Sequence, residues 1–421
     1  DPAVIAEITN IYDTIGVCGN GTDCETLTEA GVKDTNLFVA VTGSDELNML
    51  SCFLAKRMGA HHTIARIRNP EYNDQSLGFM RQQLDLSMVI NPELLAAQEL
   101  FKILKLPSAV TVETFSRRNF EMVELRLRQD SPLDGITLSE MWKKYDAKFL
   151  VCVVQREDEV YIPDGNFVLK SGDRIGITAT PAEINKFLRM IGFMQKQARS
   201  VMLLGASRTT YYLAKLLLEN GTAVKIVDQS RERCREFCNL LPGVTMIHGD
   251  GIQQKVLLEE GIESVDAFVS LTGIDEQNIL VSFFAAAQKV PKVIAKVNRN
   301  ELGNMAEKLG LECIISPKKI IVDVLSRYAR ALQNSLGSKV ETLYKLMDGK
   351  AEALEFIVQA DFNGLQIPLK DMPLKPNILI AGIVRGRKII IPSGEDAIAV
   401  GDRVIVLVAG KQLKDFSDIM Q

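Results

Sequence analysis

The residues from Gly19, GNGTDCETLTEAGVKDTNLFVAVTGSDELN, align without a gap on GDGIQQKVLLEEGIESVDAFVSLTGIDEQN from Gly249, 230 positions later. A second pair, FLVCVVQREDEVYIPDGNFVLKSGDRIGITA from Phe149 and ILIAGIVRGRKIIIPSGEDAIAVGDRVIVLVA from Ile378, stands at an offset of 229. Between them AHHTIARIRNPEY meets PKVIAKVNRNEL, and DLSMVINPE meets LECIISPKK after a small deletion. Separate segments at almost one offset establish a tandem duplication, and every later motif is weighed in pairs.

Within each copy, short apolar runs alternate with stretches of helical period: residues 37–41, a helix to 58, residues 63–67, another helix, and residues 88–90. That alternation predicts βαβ units around a parallel sheet. The later part of each copy changes character, with strand-like runs at 149–154, 160–162 and 174–178 between Gly and Asp turns, and one helix near 138–145. The predicted fold class is α/β: two Rossmann-like parallel-sheet nucleotide-binding domains, each followed by a small α+β C-terminal lobe. The boundaries read as 1–106, 107–195, 196–335 and 336–421, with the first domain lacking its N-terminal part.

The 421 residues are 47% hydrophobic and 24% charged, which suits packed cores and excludes a disordered chain. A net charge of -4 removes the signature of a non-specific nucleic-acid binder, so no nucleic-acid partner is expected. The longest apolar stretches, 378–384 and 404–409, fall far short of the ~20 residues that span a bilayer. Any membrane role is expected to run through a partner. Seven cysteines without a CxxC pair and three histidines leave no zinc spacing, and no metal site is expected. Cys234 and Cys238, four apart, read as half-buried reduced thiols on a helix.

The second copy opens with SVMLLGASRTTYYLAKLLLENGTAVKIVD, a strand, a tight turn, an amphipathic helix and a strand ending in Asp228. Such a turn sets helix N–H groups against a pyrophosphate, and an acid about 20 residues on takes the ribose hydroxyls. Of the GxGxxG pattern only Gly205 stands here, followed by Ala206, Ser207, Arg208, Thr209 and Thr210. Two readings remain open: nucleotide binding through Gly205, Ser207, Asp228 and an Arg208 that contacts phosphate, or a turn that only keeps the fold. Asp250 and Thr272 stand at the following strand ends.

In the first copy Asp1 matches Ser230, so the counterpart of residues 200–229 is not in this sequence. A sheet without those strands would expose a long apolar edge. The expectation is a natural chain continuing upstream by about 30 residues, with its own glycine turn and ribose acid. The remaining strand-end segments carry Gly19, Asn20, Gly21 and Thr22, then Thr42, Gly43, Ser44 and Asp45 with Asn48 beyond, then Ala65, Arg66, Ile67 and Arg68. Asn20 is suited to pairing with adenine, Thr42 and Asp45 to ordering the loop, and Arg66 to facing phosphate. The segment TGSDELN reads equally as a helix cap through Ser44 or Asp45. A guanidinium closing an apolar strand calls for an anionic partner, and Lys296 holds the matching place in the second copy.

The segments GNGT, AVTGSDELNML, ARIRNPEY and PDGNFVLKSGDRIGI closely resemble the TrkA family of potassium-uptake regulators, over essentially the whole chain. The resemblance implies a regulatory subunit that is not an enzyme. It implies a homo-oligomeric ring, a tetramer of tandem chains, beneath a membrane potassium transporter of the TrkH type. That location is cytoplasmic, peripheral on the inner face of the membrane. It further implies NAD(H), with ATP and ADP as competing ligands, and a principal site in the first α/β half. Glu93, in NPE, matches a position that approaches ligand or metal in related regulators, and Lys318 replaces it in the second copy.

The helices after Pro92 and Pro317, ELLAAQELFKIL and KKIIVDVLSRYARAL, carry apolar stripes that fit either subunit contacts or packing within one chain. The rival from another class is an NAD(P)-dependent oxidoreductase, which shares the fold. Against it, the histidines and lysines form no proton-transfer constellation, so no catalytic residue is expected. The charged turns REDEV and PSGED read as solvated surface rather than as a second effector site.

Overall fold

Apolar runs too short to stand alone form parallel strands in two compact units, residues 1–95 and residues 96–421. The computed structural model describes residues 2–70, 72, 74–106, 109–115, 120–128, 131–145, 148–193, 198–334, 340–410, 413 and 415–421. The boundary residues 107, 195–197 and 335–338 lie outside the described residues.

In the first unit Leu37–Ala40, His62–Arg66 and Met88–Ile90 form a parallel sheet in that order, with Leu37 opposite His62 and Ile64 opposite Met88. The crossover helix Asp45–Met58 starts where Ser44 Oγ accepts the Leu47 N–H at 3.2 Å. Ser44 is thus the cap. The helix ends at Gly59, whose φ of 124° and a missing Cβ that would lie 2.8 Å from the Lys33 carbonyl admit no other residue without strain. Ala40, Met49, Cys52, Ala65 and Ile67 make the core between sheet and helix. The helix Pro2–Ile11 buries none of its residues.

The second unit holds a six-stranded parallel sheet in the order Thr245–His248, Ala223–Asp228, Ser200–Leu204, Ala267–Ser270, Lys292–Lys296, Ile314–Ile315. Numbered along the chain this is 3-2-1-4-5-6, the doubly wound dinucleotide-binding order, with its topological reversal between Ser200–Leu204 and Ala267–Ser270. The helix Pro92–Lys105 belongs by sequence to the first copy. Its Ala97, Leu100, Ile103 and Leu104 nevertheless sit in the second unit's core with Val201, Leu203, Leu213 and Leu217. For this helix, packing within the chain is the outcome. Its counterpart Pro317–Asn334 has no buried residue over 317–332.

Two antiparallel five-stranded sheets complete the unit. One runs Thr111–Phe115, Phe120–Arg126, Arg174–Ala179, Leu150–Arg156, Glu159–Tyr161; the other runs Val340–Leu346, Ala351–Ile357, Arg403–Ala409, Ile378–Arg385, Lys388–Ile390. The duplication extends to irregularities: one register shift falls between Val151 and Val153 and the other between Ile380 and Gly382. In the first lobe Leu138–Lys144 forms the expected helix, started by a reciprocal Thr137–Glu140 cap. The lobes pack on each other through Phe115, Phe120, Cys152 and Val153 on one side and Tyr344, Met347, Ala381 and Leu407 on the other. Thr178 Oγ1 donates to the Ala381 carbonyl at 3.1 Å across that seam.

Candidate nucleotide site

A parallel strand ends with backbone groups that its neighbours leave unpaired, so each strand-end loop must be tied down by side chains. In the first unit Asn48 does this from the first turns of its helix. Its Oδ1 accepts the Thr42 N–H and the Thr42 hydroxyl, both at 2.7 Å, and its Nδ2 donates to the Arg66 carbonyl at 2.9 Å. Asn48 is fully buried, and so couples the ends of two neighbouring strands. Asp45 adds a second tie: Oδ2 accepts the N–H groups of Arg68 and Asn69 at 2.9 and 2.8 Å.

These ties bring two guanidinium groups together at the sheet's carboxyl end. Arg66 donates through Nη2 to the Thr42 carbonyl, while its Nε is buried with no hydrogen-bond partner. Burial, and then the neighbouring Arg68, press the Arg66 pKa downward, with Glu93 and Asp45 opposing. Arg68 donates to the Gly43 carbonyl at 3.1 Å and lies 3.7 Å from Glu93 Oε1. Asp45 and Glu93, at 4.0 and 3.7 Å, already offset Arg68, whereas the partly buried Arg66 keeps an unpartnered Nε that an anion would satisfy. A Cβ on Gly43 would meet nothing within 4 Å, so open space adjoins the loop.

Thr42, Gly43, Asp45, Asn48, Arg66 and Glu93 are therefore brought into one cluster. Sequence reasoning placed Arg68 in the strand-end segment but gave it no role of its own, although its two-residue spacing from Arg66 was a usable signal. Asn20 stands apart from these contacts: its Oδ1 accepts the Thr22 N–H and hydroxyl at 3.1 and 3.0 Å, shaping its own turn. That turn lies against the helix Asp45–Met58, since a Cβ on Gly21 would come 3.3 Å from Ser51 Oγ.

The second copy repeats the ties. Asn278 Oδ1 accepts from Thr272 N–H and Oγ1 at 3.0 and 2.7 Å, and Asp275 Oδ2 accepts from Asn298 and Arg299 N–H, both at 3.0 Å. The cations differ. Lys296 Nζ donates to the Leu271 carbonyl at 3.3 Å, Asn298 stands where Arg68 does, and Arg299 pairs with Asp275 and Glu276. Asp250 forms a local turn like that of Asn20, accepting from the Ile252 N–H at 3.1 Å.

The glycine turn is closed upon itself. Gly205 has a φ of 95°, and a Cβ there would meet the Thr272 backbone at 3.1 Å, so glycine is required by both conformation and contact. Asp228 Oδ2 accepts the Ala206 N–H at 2.6 Å and Oδ1 accepts the Ser230 N–H at 2.7 Å. Both oxygens expected at a ribose are thus engaged by backbone. Ser207 caps the helix Arg208–Glu219, accepting the Thr210 N–H at 3.3 Å, and Arg208 begins that helix exposed. Among the described residues no cluster of three or more His, Cys, Asp or Glu could hold a metal ion, and no helix is long and apolar enough to cross a membrane.

Comparison with known proteins bears on the whole chain. The TrkA-N domain family matches residues 1–92 and 201–317, and the TrkA-C domain family matches 122–192 and 356–421. A Trk system potassium uptake protein TrkA homolog of Archaeoglobus fulgidus is 30% identical over 409 residues, covering 97% of this chain and 91% of that protein. The Trk system potassium uptake protein TrkA of Haemophilus influenzae is 27% identical, covering 95% of this chain and 87% of its own length. Among solved structures the GsuK RCK domain superposes with a TM-score of 0.60 at 15% identity, covering 97% of this chain and 86% of that one. The GsuK channel bound to NAD gives 0.60 at 16% identity, covering 97% of this chain and 71% of that one. Two alternating family domains, each matched twice and in the order of the internal repeat, place the chain in the TrkA family of Trk-system potassium uptake proteins.

Proposed function

We propose that this chain is a non-enzymatic, nucleotide-sensing regulatory subunit of a potassium uptake system. The observation that carries the reading is the pair Arg66 and Arg68 at one strand end, with the Arg66 Nε buried and unpartnered. A phosphate oxygen supplies the acceptor that the Arg66 Nε lacks. NAD(H) is the proposed ligand, with ATP and ADP competing, a choice supported by the NAD-bound channel of the same fold. The first copy is the principal site. The second, where Asp228 holds the glycine turn and Lys296 holds a carbonyl, is structural or weaker.

The names of the relatives support a membrane potassium transporter as partner, proposed to be of the TrkH type. The proposed assembly is a tetrameric ring of tandem chains on the cytoplasmic face of the membrane. A ligand moves such a ring only by binding its conformations unequally, and reversing a strongly biased equilibrium takes ~5 kcal/mol of differential binding, which several sites can share. Thermal stability and oligomer size measured on the full-length protein during titration with NADH, ATP and ADP test the proposal. Saturable, selective stabilisation is expected. Absence of any nucleotide response, or saturable hydride transfer to a substrate, would overturn it.

A further inference from the structure

The two small lobes enclose a cleft of about 850 Å³, within the size range of small-molecule sites. One wall is the end of the second lobe's edge strand, Ile389 and Ile390, with Ile391 and Pro392 directly after it; Leu379 and Leu374 continue its apolar lining. The other wall, from the first lobe, carries Phe149 and Trp142. Trp142 is the chain's single tryptophan, and it remains 46% exposed. An aliphatic floor of this size left open to water favours an apolar occupant.

The rim decides the charge. Its carboxylates are already committed: Glu183 accepts the Lys148 N–H at 2.9 Å, and Asp396 accepts the Ser393 N–H and hydroxyl, both at 2.8 Å. Lys370 is paired with Glu395 at 2.7 Å. The ammonium groups of Lys148 and Lys388 have no hydrogen-bond or ion-pair partner among the described residues. The internal repeat supplies a control. At the positions matching Lys388 and Ile390 the first lobe carries Glu159 and Tyr161, bonded to each other through the Tyr161 hydroxyl and the Glu159 carboxylate. Val160, Ile162 and Pro163 match Ile389, Ile391 and Pro392, so the two lobes share the apolar strand and differ in its charge and in one aliphatic position: basic Lys388 with Ile390 in the second, acidic Glu159 with Tyr161 in the first.

We infer that this cleft binds a small amphiphilic anion, an aliphatic body lying on Ile389 to Pro392 with its carboxylate toward Lys388 and Lys148. The proposal is independent of the nucleotide site at the strand ends. Trp142 supplies the readout: the full chain is titrated with decanoate while tryptophan emission is followed. A saturable change is expected at submillimolar decanoate. Ile390→Glu should weaken it at least tenfold, and Lys388→Glu about fivefold at low salt, an effect that fades as salt screens the rim. Decanol, with the same body and no charge, should bind several-fold more weakly than decanoate. Both substituted side chains are part-exposed or exposed, and far-ultraviolet circular dichroism checks that the variants stay folded. No saturable response, or a response that survives Ile390→Glu in a folded protein, would overturn the site. Equal binding of decanol would overturn the role of the lysines, and a tryptophan response to ADP in place of decanoate would overturn the aliphatic class.

Discussion

The backbone N–H of Ala206 donates to Oδ2 of Asp228 across 2.6 Å, so the turn and the acid that would share a dinucleotide are bonded to each other. Removing the carboxylate leaves a buried N–H unpaired, a loss of ~1–3 kcal/mol. Asp228→Ala is expected to lower the melting temperature by several degrees while leaving nucleotide-induced stabilisation intact. Differential scanning fluorimetry with and without NADH separates the two effects.

Arg66 and Lys296 occupy equivalent strand ends, but only Arg66 has a buried donor without a partner. Charge-assisted hydrogen bonds to phosphate contribute ~1.5–3 kcal/mol, so Arg66→Ala should weaken ADP or NADH about 10- to 100-fold in the full-length protein. Lys296→Ala should change affinity less than about threefold on the same argument. Calorimetry returning equal losses for both would sink the ranking of the copies.

Each small lobe is fastened by a bidentate pair, Arg156 on Asp173 at 2.8 and 2.7 Å and Arg385 on Asp402 at the same distances. Both aspartates are buried and also accept backbone N–H groups, from Lys170 and from Ala399, at 2.8 Å. Asp173→Ala or Asp402→Ala should therefore cost about 2–4 kcal/mol in urea unfolding. Breaking the exposed Lys255–Glu259 pair at 3.6 Å should cost almost nothing.

Burial pushes the thiols of Cys52 and Cys152 up to about 12, from an ordinary 9.0. Folded, they keep their protons where the unfolded chain has lost them, so above pH 9 the native state binds more protons and stability falls as pH rises. The expected slope is ~1 kcal/mol per pH unit for each thiol. At pH 8 a thiol reagent should label Cys18, Cys24 and Cys238 in the native protein and reach Cys52, Cys152, Cys234 and Cys313 only on unfolding.

Pattern made the repeat, the parallel sheets and the small lobes legible, because periodicity reports which faces are buried. The loop TGSDELN was legible as a cap and as a candidate site; Ser44 caps, while Asp45 and Asn48 tie the strand ends at which the candidate site lies. What pattern could not show was pairing at a distance. Nothing in the spacing of Gly205 and Asp228 says that their loops bond to each other rather than await a ligand, and nothing in Arg68 marks its closeness to Glu93. Cys234 is buried and Cys238 exposed, where a half-buried pair was expected, because the Cys234 thiol reaches the strand-end carbonyls of Asp228 and Ile247, at 3.5 and 3.9 Å, and Cys238 one turn on lies beyond the strands.

The helix Pro92–Lys105 also bears on descent. It is encoded with the first copy and fills the core of the second through Leu100, Ile103 and Leu104. A progenitor of half this length, before its gene doubled, had no second sheet in its own chain for that helix to cover. In the tandem chain that sheet is supplied in cis, so the covalent linkage of the two copies is what gives this helix its partner.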